Sequence, residues 1–157
     1  TAQFVESYRR EQGLPATLPA GEICSSEGAV LGRHPGVHRF TVGQRKGLGV
    51  AVGTPLYVLS IDAATQRVIV GAENQLYGRS CRVRGLNWIA FDCPPSRLRA
   101  AVKIRHQHSP APATLHVEPG GVRVEFDEPQ RAITPGQAAV FYQDDLVVGG
   151  GWIASAP

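Results

Sequence analysis

The densest group of side chains with chemical potential lies in the segment RHPGVHRFTVGQRKGLG, which runs from Arg33 to Gly49. It holds four Arg or Lys residues and two His residues, and it contains no acid. Glycine lets the backbone approach a ligand closely, and a glycine-rich turn can aim several N–H groups at a phosphate. Two interpretations stay open: a loop that contacts RNA phosphates, and a tightly turned basic hairpin without a ligand.

The spacing in this segment disfavours a nucleotide-binding P-loop. It does not follow the form GxxxxGK[ST], and no long helical pattern comes after it to supply a dipole. Any anion bound here would therefore be held by basic side chains and by a tight turn.

Two predicted strands carry further basic side chains on one face. They are Leu98–Arg105 and Cys81–Leu86, in which apolar and basic residues alternate. Two such faces would form a continuous stripe along a phosphate backbone, although ordinary solvated outer faces show the same pattern. The basic residues are Arg99, Lys103 and Arg105 in the first strand, and Arg82 and Arg84 in the second.

The charge distribution also favours an anionic partner. Residues 1–110 carry 14 basic and 7 acidic side chains, whereas residues 111–157 carry 2 basic and 6 acidic ones. Of the 16 basic residues 14 are Arg, the side chain best suited to planar, bidentate phosphate contacts. A GC-rich genome would produce the same excess of Arg over Lys, so composition alone leaves both explanations open.

The sequence contains no nucleophile motif. There is no GxSxG, and none of the three cysteines has the CxxC spacing of a zinc or redox site. We expect Cys24, Cys81 and Cys93 to be buried or incidental thiols in a reducing compartment. No catalytic residue is therefore predicted.

No metal site is predicted either. His106 and His108 would share a strand face, but Pro110 and Pro112 separate them from His116, the nearest third ligand. The carboxylates Glu125, Asp127 and Glu128 precede Pro129 and are interpreted as a surface turn at the end of a strand.

The composition predicts a mainly β protein. Its 157 residues include 18 Gly and 12 Pro without a repeat period, which excludes collagen, coiled coils and helix bundles. No apolar run reaches the roughly 18 residues of a membrane helix. The chain has no Met and starts at Thr1, which indicates a trimmed initiator or a piece of a longer protein.

Two domains are predicted, residues 1–78 and residues 79–157. The first would combine a short N-terminal helix over residues 2–12 with a small β-rich domain that contains the basic, Gly-rich loop. The second would be an antiparallel β-barrel of about six strands. Three consecutive glycines, 149–151, predict a bulge or a close approach by another backbone or a partner. The predicted strands are Val37–Val42, Leu56–Ile61 and Arg67–Val70 in the first domain, and Cys81–Leu86, Leu98–Arg105, Ala113–Glu118, Val122–Phe126, Ala138–Tyr142 and Leu146–Val148 in the second.

A set of motifs spread over essentially the whole chain resembles the bacterial tRNA-specific 2-thiouridylases. The GQRKGLG and TPGQ elements and the glycine triplet are together highly specific for that family. In order, the motifs are GEI at 21–23, LGRHPG at 31–36, FTVGQRKGLG at 40–49, LYV at 56–58, NW at 87–88, KIR at 103–105, TPGQ at 134–137 and GGG at 149–151.

The resemblance implies an enzyme that sulfurates the wobble uridine of tRNA, with ATP to adenylate the base and a cysteine persulfide to deliver sulfur. In the family an N-terminal α/β domain with an SGGxDS-type loop binds ATP, and this sequence lacks that loop. The three cysteines match neither catalytic cysteine of the family. The chain therefore resembles only the central and C-terminal domains, and no cofactor is expected in it.

The resemblance also implies residues that bind RNA. Arg105 and His106 match positions where family members contact tRNA, with His106 in place of a more usual Tyr. Gln137 in the TPGQ turn matches another such position. Gln44, Arg45 and Lys46 belong to the loop motif, and their assignment to RNA phosphates rests on charge.

The predicted function is thus the tRNA-binding portion of a cytoplasmic tRNA-uridine 2-sulfurtransferase, inactive by itself. Its expected partners are tRNA and the persulfide protein that donates sulfur. No membrane partner is expected. The rival hypothesis is a β-barrel adaptor that binds a protein partner and has no role in RNA modification. A small independent enzyme with an unrecognised site is a third possibility.

Overall fold

The computed structural model describes residues 7–8, 11–12, 19–106 and 109–155. The chain divides into two compact units, Thr1–Leu76 and Tyr77–Pro157. The helix predicted over residues 2–12 lies largely outside the described residues. Within them, the Gln12 N–H donates to the Tyr8 carbonyl at 3.1 Å, but no helix reaches seven residues, so the predicted helix is not supported.

The first unit is built on a four-stranded sheet with strand order β2-β1-β4-β3. The central pair, β1 and β4, is parallel, whereas β2 and β3 pair antiparallel to their neighbours. The strands are β1 (Gly21–Ser25), β2 (Val30–His34), β3 (Tyr57–Asp62) and β4 (Arg67–Gly71), with 3₁₀ turns at Val37–Arg39 and Glu73–Leu76.

The core of this unit comes from strands β1, β3 and β4 and from one loop residue. Ile23, Val58, Val68 and Val70 are at most 1% exposed, and Leu48 joins them from the loop after β2. The alternation of Val68 and Val70 is the pattern of a strand with one face buried. The face of β4 that carries these two residues therefore packs into this core.

The predicted hairpin between β3 and β4 is confirmed, and its loop is closed by Asp62. The Asp62 carboxylate accepts hydrogen bonds from the backbone N–H groups of Ala64 and Thr65 and from the Thr65 hydroxyl. These bonds, the Thr65 hydroxyl first, hold the pKa of Asp62 below its ordinary value of 3.8. Gln66 then takes a left-handed conformation, φ 55°, and leads into β4.

The strand predicted over Val37–Val42 is wrong. Val37–Arg39 form a 3₁₀ turn that the Phe40 N–H closes on the Val37 carbonyl at 3.0 Å. A loop with Gly43 at φ 87° follows. Val37 and Phe40, two of the residues that suggested a strand, instead pack against the core as partly buried residues of the turn and its end.

The second unit is a closed antiparallel barrel, which confirms the predicted six strands. Their order around the barrel is β10-β5-β8-β7-β6-β9, and β10 pairs with both β5 and β9. The strands are β5 (Tyr77–Trp88), β6 (Arg97–Lys103), β7 (Ala111–Glu118), β8 (Gly121–Arg131), β9 (Ala138–Gln143) and β10 (Leu146–Ser155).

Every strand contributes inward-pointing apolar residues to one core. The predicted alternation along β6 is confirmed, because Ala100 and Val102 are buried and Arg99 is exposed. A small barrel of this kind is filled by its own side chains and has no central channel. One buried residue from each strand is Val83, Val102, Leu115, Val124, Phe141 and Ile153.

The glycine triplet shows both predicted features, a bulge and close backbone approach. The pairing of β10 changes register on either side of the triplet. A β-carbon on Gly150 would lie 2.7 Å from the Ala139 carbonyl oxygen, and one on Gly151 would lie 2.5 Å from the Arg84 carbonyl oxygen. Glycine is required here because neighbouring strands leave no room for a side chain.

The interpretation of Glu125, Asp127 and Glu128 as a surface turn is wrong. All three lie within β8, which continues through Pro129 to Arg131. The pairing of β5 with β8 changes register between Gly78 and Ser80, which oppose Gln130 and Glu125. Pro129 falls in this irregular stretch, where its missing N–H does not interrupt the ladder.

Candidate nucleic-acid interface

The basic loop of the first unit presents Arg45 and Lys46 to solvent. Gln44, which precedes them, uses its side chain inside the loop: its Oε1 accepts from the Thr41 N–H at 3.0 Å, and its Nε2 donates to the Lys46 carbonyl at 2.9 Å. The Gln44 carbonyl also accepts from the Val58 N–H at 2.9 Å. Gln44 thus braces the loop on β3, and the two cations project from it.

The second half of the same loop is anchored by Leu48. Gly47 and Gly49 on either side have φ values of 74° and 71°, a left-handed conformation that side chains rarely adopt. The two turns drive the Leu48 side chain into the core, where it is 7% exposed. The GQRKGLG motif therefore places two basic residues at the exposed tip of a loop that Leu48 anchors in the core.

His34 in the preceding LGRHPG motif is structural. It is 3% exposed, its Nδ1 accepts from the Gly36 N–H at 3.1 Å, and its Nε2 lies 3.1 Å from the Gln66 carbonyl oxygen. Since Nδ1 accepts, the proton sits on Nε2 and is donated to Gln66. Phe40 packs edge-on at a ring distance of 5.1 Å. A buried histidine joins β2 to the β3–β4 hairpin here.

The barrel brings Arg105, His106 and Gln137 together at one groove of about 460 Å³. Arg105 and His106 follow the end of β6, and Gln137 lies in the turn before β9. The groove also contains residues that the family motifs did not indicate. These are Tyr142 on β9 and Trp152 on β10, and Lys103 of the KIR motif on β6 lines the groove with them.

The turn that carries Gln137 is bonded to β10. The Gly136 N–H donates to the Ile153 carbonyl at 2.8 Å, and the Ile153 N–H donates to the Gln137 carbonyl at 2.9 Å. Gly136 has φ 85°, which explains the glycine of the TPGQ motif. The Gln137 side chain is exposed and has no hydrogen bond within the described ranges. Its amide is therefore positioned by the backbone and available to a ligand.

The prediction of a continuous basic stripe across β5 and β6 is wrong. In the six-stranded barrel these two strands are three positions apart in either direction, so their outer faces point to opposite sides. Sequence alternation placed the basic residues on the outer faces correctly. It held no information on which strands are neighbours.

Several outer-face cations are also neutralised by acids of β7 and β8. Glu118 lies 3.7 Å from Arg82 and 3.2 Å from Arg123, and Asp127 binds Arg99 with both carboxylate oxygens at 2.6 and 2.7 Å. The cations of the barrel groove differ from them. Lys103 and Arg105 have no ion-pair partner among residues 19–106 and 109–155.

The Arg99–Asp127 pair gives the barrel an acid-dependent component of stability. The hydrogen bonds from Arg99 hold the pKa of Asp127 below its ordinary value of 3.8. Because the folded pKa is the lower one, the stabilisation is complete above the unfolded pKa of about 3.8 and is lost as the pH falls below it and through the folded pKa.

We therefore expect Asp127→Asn to be less stable than the wild type at pH 7, and we expect this difference to shrink as the pH falls below 3.8. Urea unfolding, followed by tryptophan emission, measures the free energy of unfolding of the wild type and the variant. The emission reports on the barrel because both Trp residues lie there. Asp145→Asn is the control, since Asp145 is exposed and has no ion pair in the described part of the chain. A stability difference that did not shrink as the pH falls below 3.8 would contradict the assignment.

The cysteines show no arrangement for sulfur chemistry. Cys24 and Cys81 are buried and Cys93 is exposed. Burial raises the pKa of the Cys81 thiol to about 12. Since the thiolate is the reactive form, Cys81 is inert at neutral pH.

The described residues hold neither a candidate metal site nor a candidate membrane helix. No group of three or more His, Cys, Asp or Glu residues there is placed to hold a metal ion. No helix in that part of the chain is both long and apolar enough to cross a membrane.

The fold and the motifs correspond to two protein-family models. Residues 4–72 match the tRNA methyl transferase PRC-barrel domain, and residues 78–153 match the aminomethyltransferase beta-barrel domain. The two units therefore belong to the class of β-domains that these two family models describe.

Relatives that are about 50% identical to this chain identify the particular family. The tRNA-specific 2-thiouridylase MnmA of Acidobacterium capsulatum is 52% identical over 156 residues, that of Solibacter usitatus 51% over 156, and that of Koribacter versatilis 49% over 152. These matches cover 96–97% of this chain but only 41–42% of the relatives. The chain belongs to the tRNA-specific 2-thiouridylase family and corresponds to its C-terminal part.

Proposed function

We propose that this chain is the tRNA-binding portion of an enzyme that 2-thiolates the wobble uridine of tRNA. The observation that carries the proposal is the barrel groove. It gathers two cations without ion-pair partners in the described residues, an exposed amide and aromatic rings in one place. Cations neutralise phosphates, while amides and aromatic rings contact bases.

The loop tip with Arg45 and Lys46 would supply a second set of phosphate contacts. Both side chains are exposed, and Gln44 and Leu48 hold the loop that carries them. Gln44 acts in this proposal as a positioning residue, because its amide is already used within the loop.

In the complete enzyme, ATP and a persulfide donor would act through segments outside these 157 residues. Cys24 and Cys81 are buried, and Cys81 is held protonated. The parent protein would thus be a cytoplasmic tRNA-uridine 2-sulfurtransferase, whereas this portion would bind tRNA without turnover.

Comparison of tRNA with heparin tests the proposal against the protein-adaptor alternative. We expect the 157-residue chain to bind tRNA more tightly than heparin at equal salt, because the groove offers amide and aromatic groups in addition to charge. An adaptor for proteins would prefer neither polyanion. Sulfur transfer or ATP hydrolysis by these residues alone would contradict the proposed division of labour.

A further inference from the structure

The outer face of β10 carries an unusually exposed indole. Trp152 is 59% exposed, although a tryptophan normally buries most of its large apolar surface in a protein of this kind. Of the two Trp residues in the chain, Trp88 behaves conventionally. It packs at ring distances of 6.1 Å from Phe91 and 5.8 Å from Phe141.

The surroundings of Trp152 keep its ring uncovered. Its cross-strand neighbour on β9 is Ala138, whose side chain is too short to cover an indole. On β5 its register partner is Arg84, and a β-carbon on the next residue, Gly85 with φ 60°, would lie 3.3 Å from Trp152 Cδ1. Ala138 and Gly85 leave room around the ring, which stays open to solvent.

Trp152 separates two hollows of different chemistry. One is the basic groove with Lys103, Arg105 and Gln137. The other, about 290 Å³, is lined by the glycine triplet together with Ile89 and Val147. The Trp152 indole therefore lies between the cations of the basic groove and the apolar hollow.

This combination fits a nucleotide. A base presents two apolar faces, a polar edge and a phosphate a few ångströms away, so one face needs an aromatic ring while the phosphate needs a cation. The apolar hollow alone would suit a protein ligand equally well. The unpaired cations and the exposed Gln137 amide at the same groove favour the nucleotide.

We propose that Trp152 is the platform on which one unpaired base of the bound RNA stacks, with the adjoining phosphate at Lys103 and Arg105. The inference rests on the proposed tRNA-binding function and adds a base contact that the family motifs did not indicate. Stacking accepts any base, so it contributes affinity without reading sequence.

Trp152 emission detects stacking directly. In a Trp88→Phe variant, Trp152 is the single emitter, and a ten-nucleotide oligoadenylate is titrated at low salt while its binding is followed by anisotropy of a label on the RNA. We expect emission to fall by more than half at saturation. Binding without a change in emission would overturn the proposal.

The tRNA affinities of variants distinguish the contribution of stacking from the contribution of charge. We expect Trp152→Leu to weaken binding about 5- to 100-fold, with Trp152→Phe retaining most of the affinity. Leu146→Ala is the matched control, since Leu146 is 72% exposed on the same strand but does not line the groove. The loss from Trp152→Leu should stay constant as salt rises, because stacking releases no counterions.

The outcomes distinguish the two proposals. If Arg105→Ala weakens tRNA binding and Trp152→Leu does not, the stacking platform is wrong and the tRNA-binding function stands. If the wild-type chain fails to bind tRNA, the proposed function itself is wrong. If Leu146→Ala weakens binding as much as Trp152→Leu, the surface is a general apolar one and the platform is again wrong.

Discussion

Replacing His34 by alanine should lower the free energy of unfolding of the first unit by about 2–4 kcal/mol. The change deletes both hydrogen bonds of the imidazole and leaves the Gly36 N–H unsatisfied next to a cavity, whereas the Gln66 carbonyl still accepts from the Glu22 N–H. It also removes the ring that packs against Phe40.

Hydrogen exchange is the appropriate measurement, because both Trp residues lie in the barrel and tryptophan emission does not report on the first unit. Amides of β1 to β4 should exchange about 30- to 800-fold faster, at a factor of ten for each 1.4 kcal/mol. Arg33→Ala is the matched control, since Arg33 is adjacent and exposed. Equal exchange in the two variants would show that the buried histidine does not hold the hairpin.

The second large effect concerns RNA affinity. Arg105→Ala should weaken tRNA binding about tenfold, because a charge-assisted hydrogen bond to phosphate contributes about 1.5 kcal/mol. Arg97→Ala removes the same charge from the exposed start of β6, away from the groove, and should change affinity less than about twofold. Equal losses from the two variants would mean that net charge alone governs binding.

The barrel was predictable because its signals are local. Alternation of buried and basic residues in β6 and turn residues between short strands are properties of neighbouring residues, and they predicted six antiparallel strands correctly. The first unit was harder. Its parallel β1–β4 pair joins residues more than 40 positions apart, which no short-range pattern encodes.

One part of the candidate site was predicted from the sequence, and another part was missed. Family motifs pointed to Arg105, His106 and Gln137, and the fold places all three at one groove. Trp152 was missed although an aromatic residue after three glycines is visible in the sequence. Only strand pairing shows that it faces the same groove. The stripe from β5 to β6 failed because the order of strands around a barrel depends on closure, which alternation cannot reveal.

The most direct test of the tRNA-binding function is the dependence of tRNA affinity on salt, measured for the wild-type chain and for Lys103→Ala/Arg105→Ala. Each phosphate contact contributes a slope of about −0.7 to −0.9 to a plot of log affinity against log salt. We predict a steep negative slope for the wild type and a slope shallower by about one to two in the double variant. A flat wild-type plot, or identical slopes, would contradict the assignment of this groove to tRNA.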